Sequence, residues 1–147
     1  MNESPGTFSW PVRIYWEDTD AGGIVYYANY LKFMERARSE WLRSVGVEQD
    51  ILHREQGLMF VVVDAETHFL KPARYGELLQ VSCDIAEARR ASLTFRQNIV
   101  RRASREAGAD EVLVTGKVRV ACLDARKFRP RALPGEVLRA MNVSGEG

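Results

Sequence analysis

Long hydrophobic runs are missing from this 147-residue chain. The longest purely apolar stretch, residues 58–63, falls far short of the roughly 20 residues that a membrane-crossing helix needs. No membrane-spanning segment is therefore expected. Cysteine is scarce: Cys83 and Cys122 stand alone, which excludes a disulfide framework. A chain of this length has no need of one, because about 150 residues bury roughly 68–70% of the surface their unfolded chain exposes. Net charge is nearly absent, with 21 Lys and Arg against 20 Asp and Glu leaving +1. A dedicated nucleic-acid binder carries a clear cationic surplus, so no nucleic-acid partner is expected. The N-terminal residues lack both a basic start and an apolar core, so no secretory leader is read there and a cytoplasmic location is expected. Internal repeats and low-complexity tracts are also absent. One domain, residues 1–147, accounts for the length.

What is present is one strong helical period set among strands. Residues 8–16 read as a first strand, interrupted early by Pro11. Further on, Tyr30, Phe33, Met34, Ala37, Trp41 and Val45 recur at helical spacing, while Lys32, Glu35, Arg36, Arg38, Ser39, Glu40 and Arg43 fill most other positions. The pattern predicts a helix over residues 28–45, about 27 Å long at 1.5 Å per residue, with Asn29 as N-cap and Gly46 as stop. Residues 60–70 then alternate, with Val61, Val63, Ala65, Thr67 and Phe69 on one face and Asp64, Glu66 and His68 on the other. Leu79 to Ile85, Leu93 to Ile99 and Val112 to Cys122 alternate likewise, with Gly116 read as a bulge. The linkers at 71–77 and 103–110 are short enough for antiparallel connections. One helix and about five strands describe an α+β domain, a sheet with one apolar face curled around the helix. Such a sheet has open edges, so a dimer formed by edge pairing is expected.

The chemistry concentrates between the first strand and the helix. Asp18 and Asp20 sit in a loop with Gly22 and Gly23, whose freedom at positive φ lets backbone approach a ligand. The loop feeds a helix N-terminus, where unpaired N–H groups and a dipole of roughly half a charge can hold the negative oxygen of an attacked carbonyl. A carboxylate beside such donors is equipment for acyl transfer. The other reading is a plain turn, in which the carboxylates accept local backbone N–H bonds. The spacing of Glu17, Asp18 and Asp20 is not that of a calcium loop, and no metal is expected.

Tyr15-Trp16-Glu17-Asp18-Thr19-Asp20-Ala21-Gly22-Gly23-Ile24-Val25-Tyr26-Tyr27-Ala28-Asn29-Tyr30, with Phe33-Met34-Glu35-Arg36-Ala37-Arg38, resembles the signature of hotdog-fold acyl-CoA thioesterases of the 4-hydroxybenzoyl-CoA thioesterase type. Phe60-Val61-Val62, Lys71-Pro72-Ala73-Arg74 and Pro130-Arg131-Ala132-Leu133-Pro134 extend the likeness over nearly the whole chain and point to the Tol-Pal-associated, YbgC-like branch. The resemblance implies a hotdog fold and a homodimer or tetramer that hydrolyses acyl-CoA to free acid and coenzyme A. It assigns Asp20 as the catalytic carboxylate, Asp18 as non-catalytic, and the Tyr27 backbone amide as oxyanion donor, with Gly23 in the substrate loop. It places Phe60, Val61 and Val62 of a neighbouring subunit along the acyl slot, and Arg89, Arg90 and Ser92 at the nucleotide end of coenzyme A. No cofactor is implied beyond coenzyme A as part of the substrate. Many members of that branch carry His where this chain has Tyr27, so any imidazole role is lost while a backbone donor survives. A thiol leaving group with a pKa near 8.5 departs without obligatory protonation, so one carboxylate and one donor worth about 3 kcal/mol suffice. Whether Asp20 attacks directly or activates water stays open at this level.

Other residues carry less. No G-x-S-x-G elbow is present, and His53 and His68 have no nucleophile partner in sequence. Cys83 and Cys122 fall on apolar faces and read as buried, inert thiols. A second cationic run, Arg126-Lys127-Phe128-Arg129-Pro130-Arg131, suits either phosphates, an acidic acyl carrier protein, or plain solvent. The competing function is a non-hydrolytic module that docks acyl carrier protein or lipid-synthesis enzymes, with the loop aspartates purely structural.

Overall fold

The computed structural model describes residues 7–103 and 108–141. Residues 104–107 of the predicted 103–110 linker lie outside that range. Five strands form one antiparallel sheet: β1 (Phe8–Arg13), β2 (Leu58–Phe69), β3 (Leu78–Ala88), β4 (Ser92–Arg101) and β5 (Glu111–Asp124), in the spatial order β1-β3-β4-β5-β2. The long helix α1 (Asn29–Ser44) buries Tyr30, Phe33, Met34, Ala37, Arg38 and Leu42 against it. Among the described residues no helix is long and apolar enough to cross a membrane.

Several sequence expectations need correction. The first strand stops at Arg13 rather than 16, because residues Trp16–Asp18 coil into a 3-10 turn. Asn29 does not cap α1: its side-chain amide donates to the Asp18 carbonyl at 2.9 Å and ties the helix start to the loop. Two further helices, α2 (Gln49–Gln56) and α3 (Gly135–Ala140), escape the periodicity test. Each is short and buries one side chain only, Leu52 and Val137, so no apolar stripe repeats.

Gly116 is not a bulge. It pairs in register with Gln97 on one side and Thr67 on the other. A Cβ there would stand 2.9 Å from the Met34 methyl carbon, so the missing side chain is what lets α1 approach the sheet. The bulges lie elsewhere, one of them at Val63 on β2, where pairing passes from Val62 to Asp64. That extra residue resets the alternation. Val62 and Val63 are both 48% exposed; of the predicted inward set, Ala65, Thr67 and Phe69 lie opposite Val118, Gly116 and Val114 on the helix-facing side, whereas the bulge puts Val63 out of step with them. β2 is an edge strand, as is β1, where Pro11 removes a donor that the edge does not use.

The core is in two parts. One gathers Ile14, Tyr30, Phe33, Met34, Leu79, Val81, Ile99 and Val114; the other gathers Leu42, Leu58, Leu93, Phe95, Val118, Val120 and Leu133. Between them, on α1, β4 and β5, sit Arg38, Gln97 and Gly116. The sequence places Arg38 on the polar face, yet its side chain is turned inward and only 8% of the residue is exposed. Its guanidinium donates to Gln97 Oε1 at 3.1 Å, and Gln97 Nε2 donates to the Met34 carbonyl at 2.9 Å. A polar layer thus crosses the middle of the domain.

Candidate active site

The loop from β1 to α1 is built by short backbone bonds. Asp18 Oδ2 accepts the Tyr15 amide at 2.8 Å, and the Asp18 carbonyl accepts the Tyr26 amide at 2.9 Å. Asp18 is therefore absorbed into the frame. Asp20 closes a second, tighter turn: its amide donates to the Ile24 carbonyl at 2.9 Å, its carbonyl accepts the Gly23 amide at 3.0 Å, and its Oδ1 accepts the Gly22 amide at 2.8 Å. Gly23 takes φ +83°, a conformation costly for any residue with a Cβ. The Asp20 side chain is exposed, and no described residue donates to its Oδ2. Each carboxylate thus accepts one backbone amide within the loop, and Asp20 is the more exposed of the two.

Beyond the turn the chain enters α1. The first turn is secured by Asn29, Tyr30 and Leu31 amides donating to the Tyr26, Tyr27 and Ala28 carbonyls. Among the described residues, the amides of Tyr27 and Ala28 themselves have no acceptor. They are donors at the positive end of a 16-residue helix.

Beside them opens a cavity of about 250 Å³, lined by Ile24, Val25, Tyr27, Tyr30, Phe69, Leu70, Lys71 and Pro72. Its wall is aromatic. Phe69 meets the Tyr27 ring edge-on at 5.9 Å and the Tyr30 ring at 5.8 Å, and Tyr26 packs on Tyr27 at 5.1 Å. The Tyr30 hydroxyl accepts the Ala73 amide at 3.0 Å, and burial raises its pKa above the ordinary tyrosine value. Lys71 is held at the rim by Glu111 at 2.8 Å. Sequence reasoning assigned Tyr30 to the core and missed as lining Phe69, at the end of β2, and Lys71, just beyond it.

The remaining predicted residues lie apart from this cavity within one chain. Phe60 and Val62 on β2 line a different recess, under α1, and Val61 is half-buried. Arg89, Arg90 and Ser92 form the β3–β4 turn, closed by the Arg89 amide donating to the Ser92 carbonyl at 2.8 Å. The two arginines differ. Arg89 is paired with Glu87 at 3.1 Å and holds that carboxyl below its usual range, whereas the Arg90 guanidinium has no partner among the described residues. Cys83 and Cys122 are buried and unbridged, as expected, and burial pushes the Cys83 thiol up to about 12. Among the described residues, no group of three or more His, Cys, Asp and Glu is placed to hold a metal ion.

Residues 22–107 match a family model described as Thioesterase superfamily, a stretch beginning just after Asp20. The chain is 42% identical over 135 residues to the acyl-CoA thioesterase YbgC of Haemophilus influenzae, covering 92% of this chain and 94% of that protein. Among solved structures, a probable thioesterase from Bartonella henselae superposes with a TM-score of 0.73 at 35% identity, covering 87% of this chain and 98% of that one. The 4-hydroxybenzoyl-CoA thioesterase of a Pseudomonas species superposes at 0.82 and 22% identity, covering 91% and 98%, which speaks to the shared fold. With its five-stranded antiparallel sheet wrapped on one long helix and a family match over more than half its length, the chain is a hotdog-fold member of the thioesterase superfamily.

Proposed function

We propose that this chain hydrolyses acyl-CoA thioesters at the Asp20 loop. The thioester oxygen lies against the open Tyr27 and Ala28 amides, and the Asp20 carboxylate serves as base or nucleophile at the carbonyl carbon. The observation that carries this reading is an exposed carboxylate in the loop that leads into the N-terminus of the long helix, where two amides lack an acceptor among the described residues. Charge grows on the carbonyl oxygen as it is attacked, and one well-placed donor in such a site is worth about 10²–10³ in rate. The thiolate leaves unaided. The aromatic cavity beside Tyr27 offers room for part of the substrate, and Arg90, with its free guanidinium, suits a phosphate of coenzyme A, with Arg89 and Ser92 shaping the turn.

A homodimer completes this reading. Among the described residues the outer edge of β2 is unpaired and presents Val62 and Val63 half exposed, a surface that edge pairing with a second copy buries. Phe60, Val61 and Val62 of that copy are then candidates for the acyl slot. The test is release of free thiol from short, aromatic and long acyl-CoAs. Asp20→Asn is expected to lose at least about 100-fold in kcat with an unchanged melting temperature. Full activity in that variant refutes the assignment of Asp20. No turnover of any acyl-CoA, together with tight binding of acyl carrier protein, establishes the docking module instead.

A further inference from the structure

Under the second half of α1 lies a recess of about 190 Å³ that the catalytic loop does not touch. Its deep side is formed by the buried residues Arg38, Leu42, Leu93, Phe95 and Val120, and its rim by Glu35, Ser39, Gln49, Phe60 and Val62. The walls are apolar, except that a guanidinium is set among them. Arg38 is more than nine-tenths buried, yet among the described residues it has no carboxylate within ion-pair distance and a single hydrogen bond, to the neutral Gln97 side chain. A guanidinium has five donors in a planar fork. The other donors of Arg38 have no acceptor among the described residues, although a buried charge normally requires a paired, hydrogen-bonded partner. Glu35, whose charge acts on Arg38, sits at the exposed rim and accepts the Ser39 hydroxyl instead.

We propose that this recess binds a carboxylate carried on a short apolar chain, with Arg38 as the group that receives it. The fork matches a carboxylate in two parallel bonds, and the lining matches a hydrocarbon tail. The recess has room for a short-chain carboxylate, for which butyrate serves as the probe. Two sources supply such a group. One is the free acid that thioester hydrolysis releases. The other is the far end of a dicarboxylic acyl-CoA, reached past Phe60 and Val62. Either source rests on the thioesterase reading, but the binding itself does not, and it is measured without turnover.

The experiment titrates the whole protein with butyrate and with the isosteric neutral butyramide, by calorimetry and by the Arg38 Nε–H resonance. Butyrate is expected to bind at least about 10-fold tighter than butyramide, since hydrogen bonds to charged groups are worth about 1.5–3 kcal/mol. It is also expected to shift the Arg38 signal. Arg38→Met abolishes the preference, and Glu35→Gln, which removes the opposing charge at the rim, tightens butyrate. Equal affinity for the two ligands, an unmoved Arg38 signal, or an unchanged preference in Arg38→Met overturns the proposal. Because the ligand pair and Glu35→Gln need no change at Arg38, the test survives if Arg38→Met does not fold. Two kinetic arms then separate the sources. Arg38-dependent inhibition by butyrate identifies the released acid, and an Arg38-dependent preference for glutaryl-CoA over butyryl-CoA identifies the acyl end. Loss of hydrolysis in Asp20→Asn with butyrate binding intact shows that the two sites fail independently.

Discussion

Replacing Gln97 by Met tests the polar layer at its centre. The two side chains have similar volume, so the packing between the two halves of the core is kept while two hydrogen bonds are deleted, from Arg38 Nη1 and to the Met34 carbonyl. The bond to the guanidinium is worth about 1.5–3 kcal/mol and the bond to the carbonyl about 0.5–1.5 kcal/mol. Taken together at about 3 kcal/mol, the loss lowers the melting temperature of a domain this size by about 6–12 °C. Urea unfolding at fixed protein concentration is expected to show a lower midpoint at unchanged slope. The decisive comparison is the double variant Arg38→Met with Gln97→Met. Removing one partner strands a buried charge, whereas removing both leaves an apolar layer, which is often neutral or stabilising. The double variant is therefore expected to recover most of the loss. If Gln97→Met costs less than about 0.5 kcal/mol, or the double variant is no more stable than the single one, then Arg38 is not a buried charge held by Gln97.

Gly116→Ala forces the Met34 thioether aside and is expected to cost about 1–3 kcal/mol in chemical denaturation, with recovery in Gly116→Ala combined with Met34→Leu. The Cys83 thiol has its folded pKa raised by burial to about 12, so its contribution to stability is present below the unfolded value and fades as pH rises between about 9 and 12. It should resist iodoacetamide at pH 8 until denaturant is added; rapid labelling of the folded protein contradicts that burial. Glu111 titrates below the usual carboxylate range because Lys71 and Arg101 both bond to it, so its contribution is present above the unfolded pKa and lost as the solution is acidified. The Glu111→Gln variant is accordingly expected to lose less stability than the parent between pH 6 and pH 3 in thermal melts.

Much of the architecture was legible from residue order because it depends on near neighbours. The 3.6-residue recurrence of Tyr30, Phe33, Met34, Ala37 and Trp41 is a local property, and α1 follows it to within a residue at each end. The strand alternation in β3, β4 and β5 is equally local, and so are the turn at Asp20 and Gly23 and the exposure of the α1 N-terminus. What sequence order did not contain was everything that depends on contacts across the fold. The bulge at Val63 turns over the face of β2, and only pairing with β5 reveals it. Gly116 looks like a flaw in a strand until Met34 is seen above it. Arg38, by spacing a surface cation, is drawn inward because Gln97, 59 residues away, offers an oxygen there. Local periodicity determined the elements; burial and charge pairing between distant segments, which no spacing along the chain records, decided which of their side chains meet.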